Sequence, residues 1–321
     1  MTQQILQWNG PTGPAPTLPK PQSGKTQTRF TKAELKKLME NIAIESPEAF
    51  KPANIVGAKE PATKLYRPDF SHKPDIEATL AKLYPDLDDP VKQIFERPVV
   101  TNSTQWPWCT VGKVFAGKND NYVSPLWTGS GTVVGAVNLL LTAGHVVPWD
   151  QPGWWMRFVP AYDNSAEPFG SSYVSDVYGY NPNDTVEPYD YAVCKLYTPL
   201  GNSVGYMGAQ AWSGDGNYTD NSWISVGYPG AILNAQVPIV DSNIVVTNVQ
   251  DDGDSKLLED TFFGYPGWSG GPMWNWLEEQ PRVVAVMSGY DYTSDGTPID
   301  SLEAAGIDML NLLIWAINNW Q

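Results

Sequence analysis

GYPGWSGGPMW, residues 264–274, places Ser269 between glycines, with a proline and a tryptophan close by. Residues 267–271 read G-x-S-G-G, a pattern that lets the backbone turn sharply and present its central side chain and amides. Serine is a poor nucleophile at neutral pH, so an active serine needs a base to take its proton and a third group to orient that base. The rest of the sequence has to supply those two groups.

The choice of base is narrow, because the chain contains only two histidines. His145 lies in NLLLTAGHVVP, at the end of an apolar strand-like run, where the next side chains can enter a cleft. His72 lies among polar residues of the N-terminal region and is predicted to be a solvated loop residue. His145 is therefore the candidate base, with a purely structural histidine as the alternative.

Asp190 is the candidate orienting acid, and it begins the run DYAVCKL. Alternation along this run predicts that Asp190 shares a strand face with Ala192 and Cys194. A carboxylate at the head of a buried strand needs a partner, because an unpaired buried charge is costly, and an imidazole supplies one. Asp176 and Asp184 are the competing candidates, and a strand-capping role for Asp190 is the alternative.

Short β-type runs broken by Gly, Pro, Asn and Asp follow from about residue 105 and predict an all-β sandwich or barrel. The runs are CTVGKVF, GTVVGAVNLLLTA, DYAVCKL, WISVGY, NIVVTNV and RVVAVMSGY. The C-terminus is the exception, because its apolar residues fit one stripe of a helix. The residues of that stripe are Ile307, Leu310, Leu313, Ile314 and Ile317.

Charge divides the chain near residue 100. Residues 1–100 carry 14 of the 20 Lys and Arg and 12 of the 35 Asp and Glu, a balance of +2. Residues 101–321 carry 6 and 23, a balance of −17. We therefore expect an N-terminal segment over 1–98 and a larger domain over 99–321. The acidic surface of the larger domain disfavours nucleic acid and anionic membranes as partners.

The N-terminal segment is predicted to be partly helical. Residues 9–28 are rich in Pro, Gly, Thr and Gln, which predicts an extended or disordered arm. Capping residues and apolar spacing predict short amphipathic helices over 31–43 and 74–84. Such helices bury little alone, so we expect them to dock on the following domain. The segment is interpreted as a pro-region that folds onto or blocks that domain, with a permanent accessory module as the alternative.

Neither a metal nor an organic cofactor is expected. With two cysteines and two histidines in the chain, a Cys/His metal cage is poorly supported. The acidic run DDGDSKLLED, residues 251–260, departs from the EF-hand order of ligands and is interpreted as a solvated loop. Cys109 and Cys194 form either one disulfide or two buried thiols, and the sequence leaves both open.

Compartment is argued indirectly. No run is long enough to span a bilayer, and the N-terminus lacks the features of a secretory signal. Sequons at Asn102, Asn183 and Asn217 would permit glycosylation of a secreted protein. We expect a secreted protein, with a cytoplasmic one as the alternative.

Three segments in the order His, Asp, Ser resemble the triad segments of chymotrypsin-like serine proteases. They are LTAGH (141–145), DYAVCKL (190–196) and GWSGGP (267–272). VTNSTQWPW (100–108), GYPG (227–230) and DTFFGYPGWSGGP (260–272) resemble stretches of bacterial and fungal glutamyl endopeptidases, a branch of that family. The resemblance covers roughly residues 97–321. It implies a mainly β fold of two antiparallel six-stranded barrels with a C-terminal helix.

The resemblance also implies the roles of individual residues in peptide-bond hydrolysis. Ser269 would be the nucleophile, His145 the general base and then acid, and Asp190 the group that orients the imidazole. The amides of Gly267 and Ser269 would form the oxyanion hole. A peptide or protein would be the substrate, and the chemistry needs no cofactor.

VVAVMSGY, residues 283–290, resembles the strand that lines the primary specificity pocket. The implied pocket residues are Gly264, Met287, Ser288, Gly289 and Tyr290, and Ser288 would also bond the triad aspartate. Glutamyl endopeptidases place a histidine where Met287 stands and a threonine near Gly264. Without those polar groups a preference for glutamate loses its basis, and an apolar substrate side chain is expected.

Trp268 departs from the pattern of most trypsin-like proteases, which have an aspartate there that captures the new N-terminus on activation. An indole cannot form that ion pair, so another contact must hold the turn. The rival function is a catalytically inactive, protease-like module that binds peptide or glycan. Thirteen tryptophans follow residue 100, and we interpret them as core and pocket packing in preference to sugar-stacking platforms.

Overall fold

The computed structural model describes residues 4–7, 61–67, 103–118, 125–149, 151, 153–180, 182, 187–212, 216–262, 264–292 and 298–320. The predicted arm over 9–28, both predicted N-terminal helices, His72 and Asp184 lie outside these residues.

A closed, six-stranded antiparallel barrel forms the first half of the larger domain. Strand β1 joins the sheet from the N-terminal segment by pairing antiparallel with β6. The bounds are β1 (Gln4–Gln7), β2 (Val111–Gly117), β3 (Trp127–Val133), β4 (Leu139–Thr142), β5 (Trp155–Pro160), β6 (Ser172–Gly179) and β7 (Ala192–Leu196). The barrel order is β6-β5-β2-β3-β4-β7, and β7 closes onto β6.

A second closed, six-stranded antiparallel barrel follows. The bounds of its strands and of the short β8 are β8 (Gly208–Ala209), β9 (Ser222–Gly227), β10 (Ile239–Asp252), β11 (Ser255–Asp260), β12 (Pro272–Leu277), β13 (Gln280–Tyr292) and β14 (Pro298–Gly306). The order is β12-β9-β10-β11-β14-β13, and β13 closes onto β12, while β8 pairs in parallel with β13. The predicted fold of two barrels is confirmed.

Helices are few among the described residues: α1 (Gly201–Val204), α2 (Gly216–Thr219) and the C-terminal α3 (Ile307–Asn319). The C-terminal helix is confirmed, but its predicted stripe is partly wrong. Ile314 is 39% exposed, whereas Met309 and Leu312 are buried beside Leu310 and Leu313. The buried face is shifted because α3 packs against strands of both barrels at once. None of the described helices combines the length and apolar character that crossing a bilayer requires.

The alternation predicted for DYAVCKL is confirmed. Ala192 and Cys194 lie inside the first barrel. Tyr191 and Val193 face the opposite way, into a cluster that includes residues of α3. Strand β7 is therefore buried on both faces, which is typical of a strand at the centre of a fold.

Two runs of the sequence are β-hairpins. GTVVGAVNLLLTA reads as one strand, but it contains the end of β3, a turn over 134–138, and β4. The interpretation of DDGDSKLLED as a solvated loop is wrong: it forms the end of β10, a turn at Gly253, and β11. Lys256 forms an ion pair with Asp251 at 2.6 Å across this hairpin. Its positive charge offsets part of the repulsion between the acidic side chains of the run.

Residues 61–67, a second described stretch of the N-terminal segment, are bound along the chain that connects the two barrels. The amide of Thr63 donates to the carbonyl of Ala209 at 2.8 Å, and its hydroxyl accepts from the Ala209 amide at 2.8 Å. Tyr66 and Tyr206 exchange two backbone hydrogen bonds of 3.0 and 2.9 Å. Residues 61–67 thus add a short antiparallel ladder to residues 206–211.

Cys109 and Cys194 are free thiols buried in the first barrel. Burial raises the pKa of both thiols far above the usual range. We predict that a thiol reagent modifies neither cysteine in the folded chain and both after denaturation, as measured by intact mass. Reductant should leave the melting temperature unchanged. A fall in melting temperature on reduction would show that a disulfide does form.

Candidate active site

His145 and Asp190 meet because they flank adjacent antiparallel strands. Thr142 at the end of β4 lies opposite Ala192 at the start of β7. The chain leaves β4 into a short 3₁₀ turn over Gly144–Val146, which carries His145. Asp190 precedes β7 by two residues at the same end of the sheet. The barrel topology therefore brings together two side chains that are 45 residues apart.

The Asp190 carboxylate accepts hydrogen bonds from three donors. Its Oδ1 accepts from the backbone amide of His145 at 2.8 Å, and its Oδ2 lies 2.7 Å from His145 Nδ1. Ser288 Oγ donates to the same Oδ2 at 2.5 Å. Asp190 is fully buried, whereas the His145 side chain is 28% exposed. Because a carboxylate only accepts, this geometry assigns the proton to Nδ1 and leaves the basic lone pair on Nε2.

Two indoles fix the turn that carries His145. Trp149 donates to the carbonyl of Gly144 at 2.8 Å, and Trp127 donates to the carbonyl of Val146 at 2.9 Å. The two carbonyls that flank His145 in sequence are thus both tied down. None of the thirteen tryptophans after residue 100 is exposed, which agrees with the predicted packing role.

Residues 266–271, here called the oxyanion turn, carry Ser269 across the interface between the barrels. Ser130 of β3 donates from its amide to the Ser269 carbonyl at 2.8 Å and from its hydroxyl to the Gly267 carbonyl at 2.8 Å. Gly270 has φ +81°, and a Cβ built there would lie 2.2 Å from Thr142 Oγ1 and 2.7 Å from the Ala143 amide. The turn is therefore pressed against the chain that leads to His145, and only glycine fits at 270.

The amides of Gly267 and Ser269 are available for an incoming oxygen. Among the described residues neither amide donates to a backbone or side-chain acceptor. Gly267 has φ +99°, and a Cβ there would approach the Tyr228 carbonyl to 2.6 Å. Glycine is required at 267 for both reasons, since the φ is strained for other residues and the space is already filled.

The structure brings the predicted pocket residues to one edge of the second barrel. Met287 is buried, and its Cε lies against the Cα of Gly264, where a built Cβ would come within 2.1 Å of it. Ser288 is buried on Asp190, while Gly289 and Tyr290 are half-buried. The backbone links this edge to the oxyanion turn, because the Gly270 amide donates to the Met287 carbonyl at 2.7 Å.

Of the competing residues, Asp176 lies in β6, where Ser175 Oγ donates to it at 2.8 Å. In the described part of the chain no group of three or more His, Cys, Asp or Glu could hold a metal ion.

Sequence reasoning missed Ser130, which joins β3 to the oxyanion turn. A serine in a strand gives no local signal for a contact 137 residues away.

Residues 129–286 match the model of the trypsin-like peptidase domain. The protein carries a trypsin-like peptidase domain. The matched residues begin beside Ser130 and end beside Met287, so the peptidase domain includes His145, Asp190 and Ser269.

Solved structures share the fold of this peptidase domain. A Glu endopeptidase in complex with MPD has a TM-score of 0.55 and 24% sequence identity, covering 70% of this chain and 97% of that chain. A thermostable serine protease, AL20, from an extremophilic microorganism has a TM-score of 0.51 and 20% identity, covering 66% and 98%. No curated protein sequence matches the chain.

Asp260 and Glu303 are two further residues that the sequence did not single out. Both are fully buried, and the second oxygen of Asp260 and both oxygens of Glu303 have no hydrogen-bond partner by geometry among the described residues. Glu303 lies opposite Met287 in the β13–β14 ladder. The two buried acids therefore lie close to Met287, one of the predicted pocket residues.

Proposed function

We propose that this protein is a serine endopeptidase that hydrolyses peptide bonds through an acyl-enzyme on Ser269. The observation that carries the proposal is the contact between His145 and Asp190. An imidazole whose Nδ1 is held by a buried carboxylate is oriented to take a proton at Nε2. A trypsin-like peptidase domain around these residues supports the same conclusion.

In the proposed reaction Ser269 Oγ attacks the carbonyl carbon of the substrate, and its proton passes to His145. The negative charge that develops on the carbonyl oxygen is accepted by the amides of Gly267 and Ser269. Imidazolium then gives the proton to the leaving amine as the C–N bond breaks. Water attacks the acyl-enzyme with His145 again as the base, which releases the acid and restores Ser269. No metal or cofactor enters any step.

For the substrate side chain we propose the pocket formed by Gly264, Met287, Ser288, Gly289 and Tyr290. Its wall at Met287 and Gly264 offers a methyl group and backbone, which suit an apolar side chain. A peptide-library cleavage profile dominated by acidic residues would contradict this preference without touching the catalytic proposal.

We also propose that the N-terminal segment docks on the peptidase domain as a whole, with residues 61–67 as its anchor. The ladder from 61–67 to 206–211 supports this, because it satisfies backbone groups of both partners. We also propose that the protein is secreted, and the sequons at Asn102, Asn183 and Asn217 support this proposal.

Labelling with a fluorophosphonate tests the catalytic proposal. The probe forms a covalent bond only with a serine that has a working base and oxyanion site. We predict that the chain, full-length or shortened at its N-terminus, gains the mass of one probe, on the peptide that contains Ser269. Ser269→Ala should gain none, and peptidase activity should fall by about 10⁶-fold, as on removal of other triad serines.

Ser175→Ala is the matched control, because it removes a serine that contacts only β6 and β7. This variant should label at the rate of the unmodified chain. Circular dichroism shows whether each variant is folded. A folded chain that the probe never labels would favour the rival function, an inactive module that binds peptide or glycan.

A further inference from the structure

The side chain of Trp268, next to Ser269, is fully buried inside the second barrel. Its ring meets Phe262 edge-on with centroids 4.6 Å apart. It lies directly on Gly227 of β9, where a built Cβ would come within 2.3 Å of the ring. Its Nε1–H donates to Ser225 Oγ, also of β9, at 3.0 Å. The oxyanion turn is therefore anchored to β9 by shape and by one buried hydrogen bond.

The two peptide planes that present the oxyanion amides are fixed through their carbonyl oxygens. The Pro266 carbonyl accepts from the Gly230 amide at 2.8 Å, and the Trp268 carbonyl accepts from the Gly271 amide at 2.7 Å. In a trans peptide the N–H points away from the preceding carbonyl oxygen. These two bonds therefore aim the amides of Gly267 and Ser269 away from the protein groups that hold the turn.

Ser130 closes the arrangement from the first barrel. Its hydroxyl donates to the Gly267 carbonyl and accepts from the Tyr228 amide at 2.9 Å. The same side chain thus joins the oxyanion turn to the loop that carries Gly230. These contacts of the turn all come from groups inside the peptidase domain.

We propose that the buried indole of Trp268 holds the oxyanion turn in its working shape, in place of an ion pair to a freed N-terminus, so that the uncut chain already reacts at Ser269. Trp268 is a positioning residue in this proposal, which rests on the proposed serine endopeptidase function. The N-terminal segment is then a permanent accessory module, in keeping with the anchoring of residues 61–67 on residues 206–211.

The first test treats the freshly purified full chain with a small fluorophosphonate and follows intact mass over time. We expect the mass of one probe on the uncut chain from the earliest time point. Labelling that appears only on shortened chains would overturn the inference and leave the proposed function standing. Labelling of neither form would refute the proposed function itself.

The second test compares variants by the maximal labelling rate and the probe concentration at half that rate. Trp268→Phe and Ser225→Ala each break the buried bond, and each should lower the maximal rate about tenfold with little change in the half-saturating concentration. Combining both changes should restore part of the rate, because no buried hydroxyl or indole is then left unpaired.

Trp223→Phe is the matched control. Trp223 is also a fully buried tryptophan of β9, and its Nε1–H donates to the Tyr218 carbonyl at 3.0 Å. Its loss should lower the melting temperature as much as Trp268→Phe does, yet leave the labelling rate unchanged. Equal effects of the two variants on both melting temperature and labelling rate would reduce Trp268 to a structural role and overturn the inference.

Discussion

Replacing Asp190 with asparagine is expected to lower kcat by about 10⁴-fold, the loss seen when a triad carboxylate becomes an amide. All three partners of Asp190 are donors: the His145 amide, His145 Nδ1–H and Ser288 Oγ–H. An amide group offers one oxygen and one NH₂, so at least one donor would face another donor. The imidazole can avoid this donor–donor contact by carrying its proton on Nε2 instead of Nδ1. Nε2 then has no free lone pair and cannot accept the proton of Ser269.

The measurement is kcat on a peptide substrate, with melting temperature as the check on folding. Asp176→Asn is the matched control, since Asp176 is a half-buried aspartate bonded to Ser175 and was the rival orienter in the sequence. It should change kcat by less than about twofold, as for a substitution away from the reacting groups. Ser288→Ala should give an intermediate loss, because one donor to the carboxylate is removed. Equal losses for Asp176→Asn and Asp190→Asn would mean that Asp190 has no special role.

The segments that carry Ser269, His145 and Asp190 stand out in the sequence because each carries a local requirement. Ser269 lies in a turn that only glycine-rich sequence forms, and His145 and Asp190 lie where apolar strands begin or end. Such patterns can be read from one sequence, because they depend only on residues that are neighbours along the chain. The two barrels were predictable for the same reason, because short β-type runs recur at regular spacing.

Contacts between distant segments were not predictable. Nothing near Ser130 or Gly230 indicates that their groups hold the oxyanion turn, since both contacts depend on how two barrels pack. The hairpin inside GTVVGAVNLLLTA was missed because its turn, over 134–138, is as apolar as its strands. Asp260 was read as solvated because its neighbours in sequence are acidic, and the sequence does not say which face of β11 points inward.

The second large expected effect is a pH dependence of stability that arises from Asp260 and its buried neighbour Glu303. Asp260 lies opposite Ser301, and Glu303 is two residues further along β14, so the two carboxyl side chains point to the same face of the sheet. Asp260 accepts a hydrogen bond from the Phe262 amide at 2.7 Å. Burial, with a smaller contribution from the charges of Asp241 and Asp300, raises the pKa of Asp260 from 3.8 to about 7. Burial, together with Asp260 itself, raises the pKa of Glu303 well above its usual range.

Stability should therefore fall as pH rises. Between the unfolded pKa of 3.8 and the folded pKa of about 7, the folded chain holds a proton that the unfolded chain has released. Each pH unit in that window removes about 1.4 kcal/mol for each such proton, so the loss from Asp260 grows until the pH reaches its folded pKa. Above pH 7 the contribution of Asp260 levels off, and the loss from Glu303 continues toward its higher folded pKa.

Urea unfolding at pH 5 and pH 8 measures this loss, and the double variant Asp260→Asn/Glu303→Gln should remove most of it. The amide at 260 still accepts from the Phe262 amide and gives position 303 a donor, so the variant has fewer unpaired groups than the original pair. Glu259→Gln is the matched control, because the adjacent Glu259 accepts from Gln250 at the surface and should leave the pH dependence intact. If the double variant lost as much stability between pH 5 and pH 8 as the original chain, the pair would not be the source. The acids would then have to be ionised and paired in the folded protein, which contradicts their burial beside Met287.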